Sequence, residues 1–197
     1  MPAPLSPAEL AWYVTGRFYV SAQDQHVADY GYFLHLGGVA GELFDGRVHE
    51  SRAHFTFAAQ PFLPRTAHNG ALGLSLDPAG EFSVYLQREP AGDFDRPESF
   101  AQGECIATFQ RVGLVVDTTV AAQAGGTTAK VLTDNVFSAR LMQSRAFEFA
   151  GGRYDLAAIL GRGVTQFGTA AAVPVAAHPP AYSLVFPFTG SALALGA

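Results

Sequence analysis

The chain contains one cysteine, Cys105, so no disulfide can form within it. Charged residues are also scarce, at 15% of 197 residues, against about a quarter in an ordinary soluble protein. Hydrophobic residues make up 49%. This balance predicts a large apolar core together with a subunit interface or a cavity. Cys105 itself lies in the apolar context ECIATF, which predicts a buried, unreactive thiol.

Basic residues are too few and too scattered to form a nucleic-acid surface. Lys and Arg total 12 and the net charge is -5, so we predict no nucleic-acid partner and no membrane partner. The N-terminal stretch lacks the basic and apolar regions of a secretory signal, and no run reaches the ~18 apolar residues of a membrane-spanning helix. These absences predict a cytoplasmic protein. The preference for Arg over Lys and the abundance of Ala and Gly are typical of a bacterial genome rich in G and C.

Turn signals recur between β-rich stretches. Asp45-Gly46 and Asn69-Gly70 are typical of two-residue hairpin turns, because both central residues need a positive φ. Asp77-Pro78-Ala79-Gly80 has the layout of a type I turn, and Gly125-Gly126 and Gly151-Gly152 supply two further permissive corners. Five such signals predict a meander of antiparallel strands.

Alternation of apolar and polar residues marks the strands between these turns. From Trp12 to Val20, apolar residues occupy every second position except Gly16, which predicts one buried and one polar face. Similar segments are 30–36, 53–59, 82–87, 104–111, 113–120, 128–133, 144–149, 163–169 and 182–188. About ten strands at this spacing predict a mostly β protein whose antiparallel meander forms a barrel, with a two-sheet β-sandwich as the alternative.

In size and meander pattern the chain resembles the calycins and the allene-oxide-cyclase-like and dirigent-like barrels. The resemblance is one of architecture. Leu10 and Ala11 precede Trp12, whereas the lipocalin signature has Gly two residues before its tryptophan. The resemblance therefore implies a calycin-like or allene-oxide-cyclase-like barrel and carries over no functional residue.

Helix signals are rare. Ser6-Pro7-Ala8-Glu9 combines a capping serine, a proline at the first helical position and a glutamate that can return a bond, which predicts a short N-terminal helix over one end of the barrel. Residues 134–142 are a second candidate for a short helix. Residues 88–99 and 170–181 are predicted to be long loops. No composition shift marks a boundary, so residues 1–197 are predicted to form a single domain.

Five of the six histidines lie between residues 26 and 68, namely His26, His35, His49, His54 and His68. His49 and His54 are five residues apart, whereas a helical zinc motif needs a spacing of four, and an odd spacing on a strand places residues on opposite faces. We therefore predict no metal site and no cofactor. No catalytic-serine motif and no phosphate-binding loop occurs.

Two sets of polar residues are candidates for a functional site. Glu50 and His54 would share a strand face with Arg52 and could act as a catalytic acid and base if that face lined a cavity. The alternative is a solvated face of an antiparallel sheet. The second set would hold the polar group of a ligand and consists of Arg17, Tyr19, Tyr32 and His35. The alternative is that these residues form a half-exposed strand face, where tyrosine occurs because of its high β propensity.

Three functions remain open at this stage. The first is the binding of a small apolar or aromatic ligand by the barrel, indicated by 16 Phe and 7 Tyr on a closed scaffold. The second is a cofactor-free isomerase, cyclase or lyase acting on a hydrophobic substrate. The third is a structural protein without a ligand, indicated by the apolar segment 184–188. We expect a homodimer or homotrimer under all three.

Overall fold

A computed structural model describes residues 3–24, 26–59, 65–69, 72–77, 80–124, 127–171 and 173–196. Within these ranges the chain forms strands β1 (Leu10–Ser21), β2 (Val27–Leu36), β3 (Phe55–Ala59), β4 (Arg65–Asn69), β5 (Leu72–Asp77), β6 (Glu81–Leu86), β7 (Glu104–Ala124), β8 (Thr127–Ser144), β9 (Phe147–Phe149), β10 (Gly152–Tyr154), β11 (Gly163–Ala170) and β12 (Tyr182–Ala194). Helix α1 spans Leu156–Leu160, and two 3₁₀ turns span Glu50–Arg52 and Pro97–Ala101.

Eight antiparallel strands close into a barrel, in the order β7-β6-β3-β2-β1-β12-β11-β8, with β8 pairing back to β7. The predicted mostly β barrel is confirmed, and the sandwich alternative is not observed. Consecutive strands such as β1 and β2 pair directly, as in the predicted meander, and the pairing of β12 with β1 brings the two ends of the strand series together. The assignment of residues 1–197 to one domain stays a prediction.

The hairpin of β7 and β8 is longer than the barrel. Residues 104–110 of β7 pair with β6, whereas residues 115–120 pair with β5, which in turn pairs with β4. Strands β4 and β5 and the outer parts of β7 and β8 thus form a four-stranded extension of the barrel wall. The corners predicted at Gly70, Pro78-Ala79 and Gly125-Gly126 lie outside the described residues.

The inward face of the barrel is filled with aromatic rings. Trp12, Val14 and Phe18 are buried, as their alternation along β1 predicts. The Trp12 ring contacts Phe33 and Phe109 edge to face, each with its centroid 5.6 Å away. Such contacts add about 0.5–1.5 kcal/mol each beyond the burial of apolar area. The many phenylalanines of the sequence therefore serve mainly as core.

Two glycines create the space in which rings from β3 and β12 meet. Gly16 and Gly31 are directly paired, and their outer neighbours in the register are Phe188 and Phe57. The Phe57 and Phe188 rings lie over the glycines with their centroids 6.1 Å apart. A side chain at either glycine would collide with a phenyl ring and with the backbone of the paired strand.

One end of the barrel is closed by α1. Its residues Leu156, Ile159 and Leu160 are fully buried in the main core, and Asp155 caps the helix by accepting a hydrogen bond from the Ala157 N–H at 2.9 Å. The short N-terminal helix predicted for residues 6–9 is wrong. The Glu9 N–H does bond to the Ser6 carbonyl, but Ala8 has φ of 68°, so the segment forms a turn and does not continue as a helix.

Three further local predictions are corrected. Residues 134–142 lie in β8, because pairing with both β7 and β11 outweighs local helix preference. Asp45-Gly46 lies in the irregular segment between β2 and β3 and does not join paired strands. Cys105 is exposed, because a register shift between Val84 and Tyr85 leaves Ile106 and Ala107 as the buried neighbours.

Among the described residues, no helix is long and apolar enough to cross a membrane.

Candidate functional site

A buried ion pair lies within the aromatic core of the barrel. Asp29 on β2 and Arg111 on β7 are 6% and 3% exposed, and Arg111 Nη2 lies 3.3 Å from both carboxylate oxygens of Asp29. Nearby, Trp12 Nε1–H donates a 3.0 Å hydrogen bond to Gln166 Oε1. Burial raises the pKa of Asp29, and the Arg111 guanidinium opposes this shift without cancelling it.

A cavity beside this pair measures about 20 Å³. That volume holds about one water molecule, because one such molecule needs at least ~10–15 Å³ of this kind of space. A cavity of this size admits no organic ligand unless the surrounding core side chains move.

The residues predicted to bind a ligand lie on the outer face of the barrel. The loop between β6 and β7 covers part of this face and places Phe94 against three of the four. The Arg17 guanidinium lies 4.3 Å from the Phe94 ring centroid, and Tyr19 Oη donates a 2.8 Å hydrogen bond to the Phe94 carbonyl. The Tyr32 ring lies 6.1 Å from that of Phe94. His35 is exposed on the same strand as Tyr32.

The tyrosines of this outer layer are shielded from water. Burial raises the pKa of Tyr19 above its ordinary value and that of Tyr30 to about 12. Burial and then the nearby Glu50 carboxylate raise the pKa of Tyr32. These groups therefore stay uncharged at neutral pH and pack as aromatic anchors for the loop. Ligand binding by Arg17, Tyr19, Tyr32 and His35 stays a prediction.

An open groove of about 430 Å³ lies between the barrel rim and the β9–β10 hairpin. We call it the rim groove. Its lining residues are His54, Leu86, Arg88, Glu148, Phe149, Ala150, Gly151, Gly152 and Arg153. The volume falls within the range of about 300–1,000 Å³ typical of small-molecule sites.

His54 is held in a defined tautomer at this groove. Its Nδ1 lies 2.9 Å from the Gln87 carbonyl oxygen, which can only accept, so Nδ1 carries the proton. In the neutral ring Nε2 is then the basic nitrogen, and in the described part of the chain no hydrogen bond engages it. The Phe149 ring packs against the imidazole with centroids 5.4 Å apart. The groove thus contains an oriented base beside an apolar surface.

Two arginines line the same groove. Arg88 donates to the Glu148 carbonyl and lies 3.4 Å from a Glu104 carboxylate oxygen, so the guanidinium is held in place. Arg153 is exposed, and no ion pair engages it within the described residues. Because the Glu104 carboxylate offsets the charge of Arg88, Arg153 is the lining cation left to meet an anion.

The groove wall depends on a tight hairpin. Ala150 and Gly151 have φ of 46° and 76°, so the two residues between β9 and β10 form a turn with positive φ at both positions. The Gly151-Gly152 signal is therefore confirmed. Phe147 and Phe149 fix the hairpin to the barrel, since their ring centroids lie 5.7 and 4.8 Å from that of Phe55.

The predicted acid and base, Glu50 and His54, are not brought together as a pair. Residues 50–52 form a 3₁₀ turn and not a strand, so the expected shared face does not exist. Glu50 Oε2 lies 3.2 Å from His49 Nε2, and Arg52 pairs with Asp45 at 2.9 Å. His54 lines the rim groove instead. A catalytic role for either residue stays a prediction.

The remaining histidines are dispersed. His26 lies 2.8 Å from Asp24, and the side chain of His68 lies outside the described part of the chain. Within the described residues, no three or more His, Cys, Asp or Glu side chains cluster in a way that could hold a metal ion.

Sequence reasoning missed Asp29, Arg111, Gln166, Arg88 and Arg153. Asp29 did carry a signal, because it occupies the same face of β2 as Phe33 and so puts an acid at an inward position. Arg88 and Arg153 line one groove only because of where the β9–β10 hairpin lies in the fold, so no local sequence pattern indicates that they are close. Comparisons with protein-family models, curated proteins and solved structures give no match.

Proposed function

We propose that this protein binds a small organic anion with a flat apolar body, and that the rim groove is the binding site. The observation that carries the proposal is the combination of Arg88, Arg153 and His54 around the half-buried Phe149 ring in a groove of about 430 Å³. This combination matches the usual make-up of a small-molecule site, in which a few polar groups orient a mostly apolar ligand.

The charges of the groove select the kind of ligand. A carboxylate suits the planar guanidinium of Arg153, which can bind both of its oxygens. Arg88 is pre-oriented by Glu148 and Glu104, so it loses little freedom on binding. An aromatic body would stack or pack on Phe149. Aromatic carboxylates are therefore the class that the groove fits best.

The open groove supports this proposal better than the barrel interior does. A ligand of ten or more heavy atoms cannot enter a space of about 20 Å³ without displacing core rings. Binding in the groove requires no such rearrangement.

The proposal predicts measurable binding of 2-naphthoate by isothermal titration calorimetry. Arg153→Ala should raise Kd about tenfold, because loss of one charge-assisted contact costs about 1.4 kcal/mol. Arg162→Ala is the matched control, since Arg162 is also exposed but lies outside the groove, and it should leave Kd unchanged. The neutral analogue 2-naphthalenemethanol should bind more weakly than the carboxylate.

The opposite pattern would count against the proposal. If Arg153→Ala and Arg162→Ala weaken binding equally, the anion responds to overall charge and not to the groove. Tighter binding of the neutral analogue would point to a purely apolar site.

A second candidate function is acid–base catalysis on the bound anion, favoured by the fixed tautomer of His54. A base positioned beside a carbonyl compound can remove a proton from the adjacent carbon, which is the first step of many isomerase and lyase reactions. The substrates of this version are aromatic keto acids, because they carry both the carboxylate and an acidic C–H group.

This second function predicts exchange of the α-protons of phenylpyruvate with D₂O, followed by proton NMR. Wild-type protein should accelerate the exchange, and His54→Gln should abolish the acceleration, whereas Arg162→Ala, outside the groove, should retain it. An exchange rate equal to the protein-free background would exclude the catalytic version and leave the binding proposal intact.

A further inference from the structure

A second open pocket adjoins the rim groove. It measures about 340 Å³ and lies between the end of β6 and the start of β7. We call it the side pocket. Its lining includes Glu89, Gln102 and Glu104. Leu86 and Arg88 line both the side pocket and the rim groove, so the two spaces meet at these residues.

Arg88 lies at this junction and is held from both sides. Its Nη1 donates to the Glu148 carbonyl in the rim groove, and its Nη2 donates to the Glu104 carboxylate of the side pocket at 3.4 Å. The Arg88 and Glu104 side chains are 55% and 35% exposed, and an ion pair so open to water stabilises a protein only weakly. Nη2 can therefore leave Glu104 at little cost while Nη1 keeps the guanidinium at the groove.

The two spaces carry different charges on the two sides of the junction. In the rim groove Arg153 is the cation left to meet an anion. The side pocket is lined by two carboxylates, Glu89 and Glu104, and Arg88 is the one cation among its lining residues. Glu89 is exposed, and no ion pair engages it in the part of the chain that the structure describes. The rim groove thus suits an anionic group, and the side pocket suits a cationic one.

We propose that the ligand of the rim groove is a zwitterion, namely an aromatic carboxylate whose opposite end carries an ammonium group and extends past Arg88 into the side pocket. This inference rests on the proposed function. On binding, Arg88 Nη2 exchanges the Glu104 carboxylate for that of the ligand, and Glu104 accepts a hydrogen bond from the ligand's ammonium group. Both members of the original ion pair stay paired.

A simple anion cannot complete this exchange. When its carboxylate takes Arg88, Glu104 loses its guanidinium and gains nothing in return. The Arg88–Glu104 pair therefore opposes the binding of an anion and favours a ligand that brings both charges. This difference between two ligands of one shape distinguishes the inference from a general attraction of the groove for carboxylates.

Isothermal titration calorimetry with 6-(aminomethyl)-2-naphthoate and 6-(hydroxymethyl)-2-naphthoate tests the inference. The two compounds share the carboxylate and the aromatic body and differ in the charge at the far end. Wild-type protein should bind the ammonium compound about tenfold more tightly, through one added charge-assisted contact. Glu104→Gln should reduce this preference to about twofold or less and should lower the Kd of the hydroxymethyl compound, because Arg88 is then released. A general loss of structure cannot produce tighter binding of one of the compounds.

Glu81→Gln is the matched control, since Glu81 is exposed at the far end of β6 and lies outside both cavities. It removes the same charge and should leave both Kd values unchanged. Circular dichroism and thermal unfolding verify that each variant folds. Glu89→Gln, at an exposed position of the side pocket, should also reduce the preference, and it replaces Glu104→Gln if that variant fails to fold.

Equal binding of the two compounds by wild-type protein overturns the inference, as does a preference that both side-pocket variants leave intact. In either case binding of 2-naphthoate, measured separately, shows that the rim groove itself still binds an anion. If none of the three naphthoates binds, the rim groove proposal fails and this inference fails with it.

Discussion

Gly31→Ala should destabilise the protein by about 3 kcal/mol or more, if the variant folds at all. A Cβ at Gly31 would collide with the Thr15 carbonyl oxygen and would lie 2.7 Å from Phe57 Cζ. The first of these is backbone of a paired strand, which cannot move without opening the pairing of β1 with β2. The cost therefore exceeds that of an ordinary overpacked core position.

Urea unfolding of Gly31→Ala and Gly46→Ala measures this effect. Gly46 has φ of 86° and open space around its Cα, so alanine there suffers only backbone strain of about 1–2 kcal/mol. The expected order is wild type, Gly46→Ala and then Gly31→Ala. Equal stability of the two variants would show that the rings of Phe57 and Phe188 do not depend on the paired glycines.

Arg111→Met should lower the free energy of unfolding by about 3–5 kcal/mol, because it leaves the buried Asp29 carboxylate without its guanidinium. The double variant Asp29→Val with Arg111→Met should recover most of this loss. Removing both charges ends the cost of burying them, and the interior is otherwise apolar. The comparison is made by urea unfolding at neutral pH.

The pH dependence of Arg111→Met gives an independent check. The folded protein holds the pKa of Asp29 above its unfolded value, so the folded state retains the proton more strongly. Such a group stabilises the fold below the unfolded pKa, and this contribution is lost as pH rises. The free energy of unfolding of Arg111→Met should therefore rise on acidification relative to that of the double variant, which lacks Asp29.

Arg52→Met serves as the exposed control for the buried pair. Arg52 and Asp45 lie 2.9 Å apart at the surface, where breaking an ion pair costs less than about 1 kcal/mol. A loss in Arg111→Met no larger than in Arg52→Met would contradict the assignment of Asp29 and Arg111 as a desolvated pair.

The fold could be predicted from the sequence because its signals are local. Alternation along β1 identified Trp12, Val14 and Phe18 as core, and the Gly151-Gly152 signal lies at a real hairpin. The secondary-structure prediction was wrong for residues 134–142, where strand pairing with β7 and β11 outweighed the local preference for helix. Of the capping pattern at Ser6 and Glu9, the Glu9 carboxylate does accept a hydrogen bond from the Ser6 N–H, but no helix follows, since β1 begins at Leu10.

The candidate site could be predicted only in part. His54 was identified from its residue type, although its proposed partner was wrong in geometry, because Glu50 lies in a 3₁₀ turn beside His49. Arg88 and Arg153 are 65 positions apart and come to one groove only through the tertiary fold. Arg17, Tyr19 and Tyr32 all contact Phe94 of this same chain, and ligand binding by them stays a prediction.

The most direct test of ligand binding at the rim groove is a ¹⁵N-resolved NMR titration with 2-naphthoate. The proposal predicts shift changes at the amides of Phe149, Gly151, Gly152 and Arg153, which line the groove. Trp12, the single tryptophan, reports on the barrel interior through its Nε1–H bond to Gln166, and this signal should stay unchanged. Shifts at the Trp12 indole without shifts in the β9–β10 hairpin would contradict the proposal and place the ligand inside the barrel.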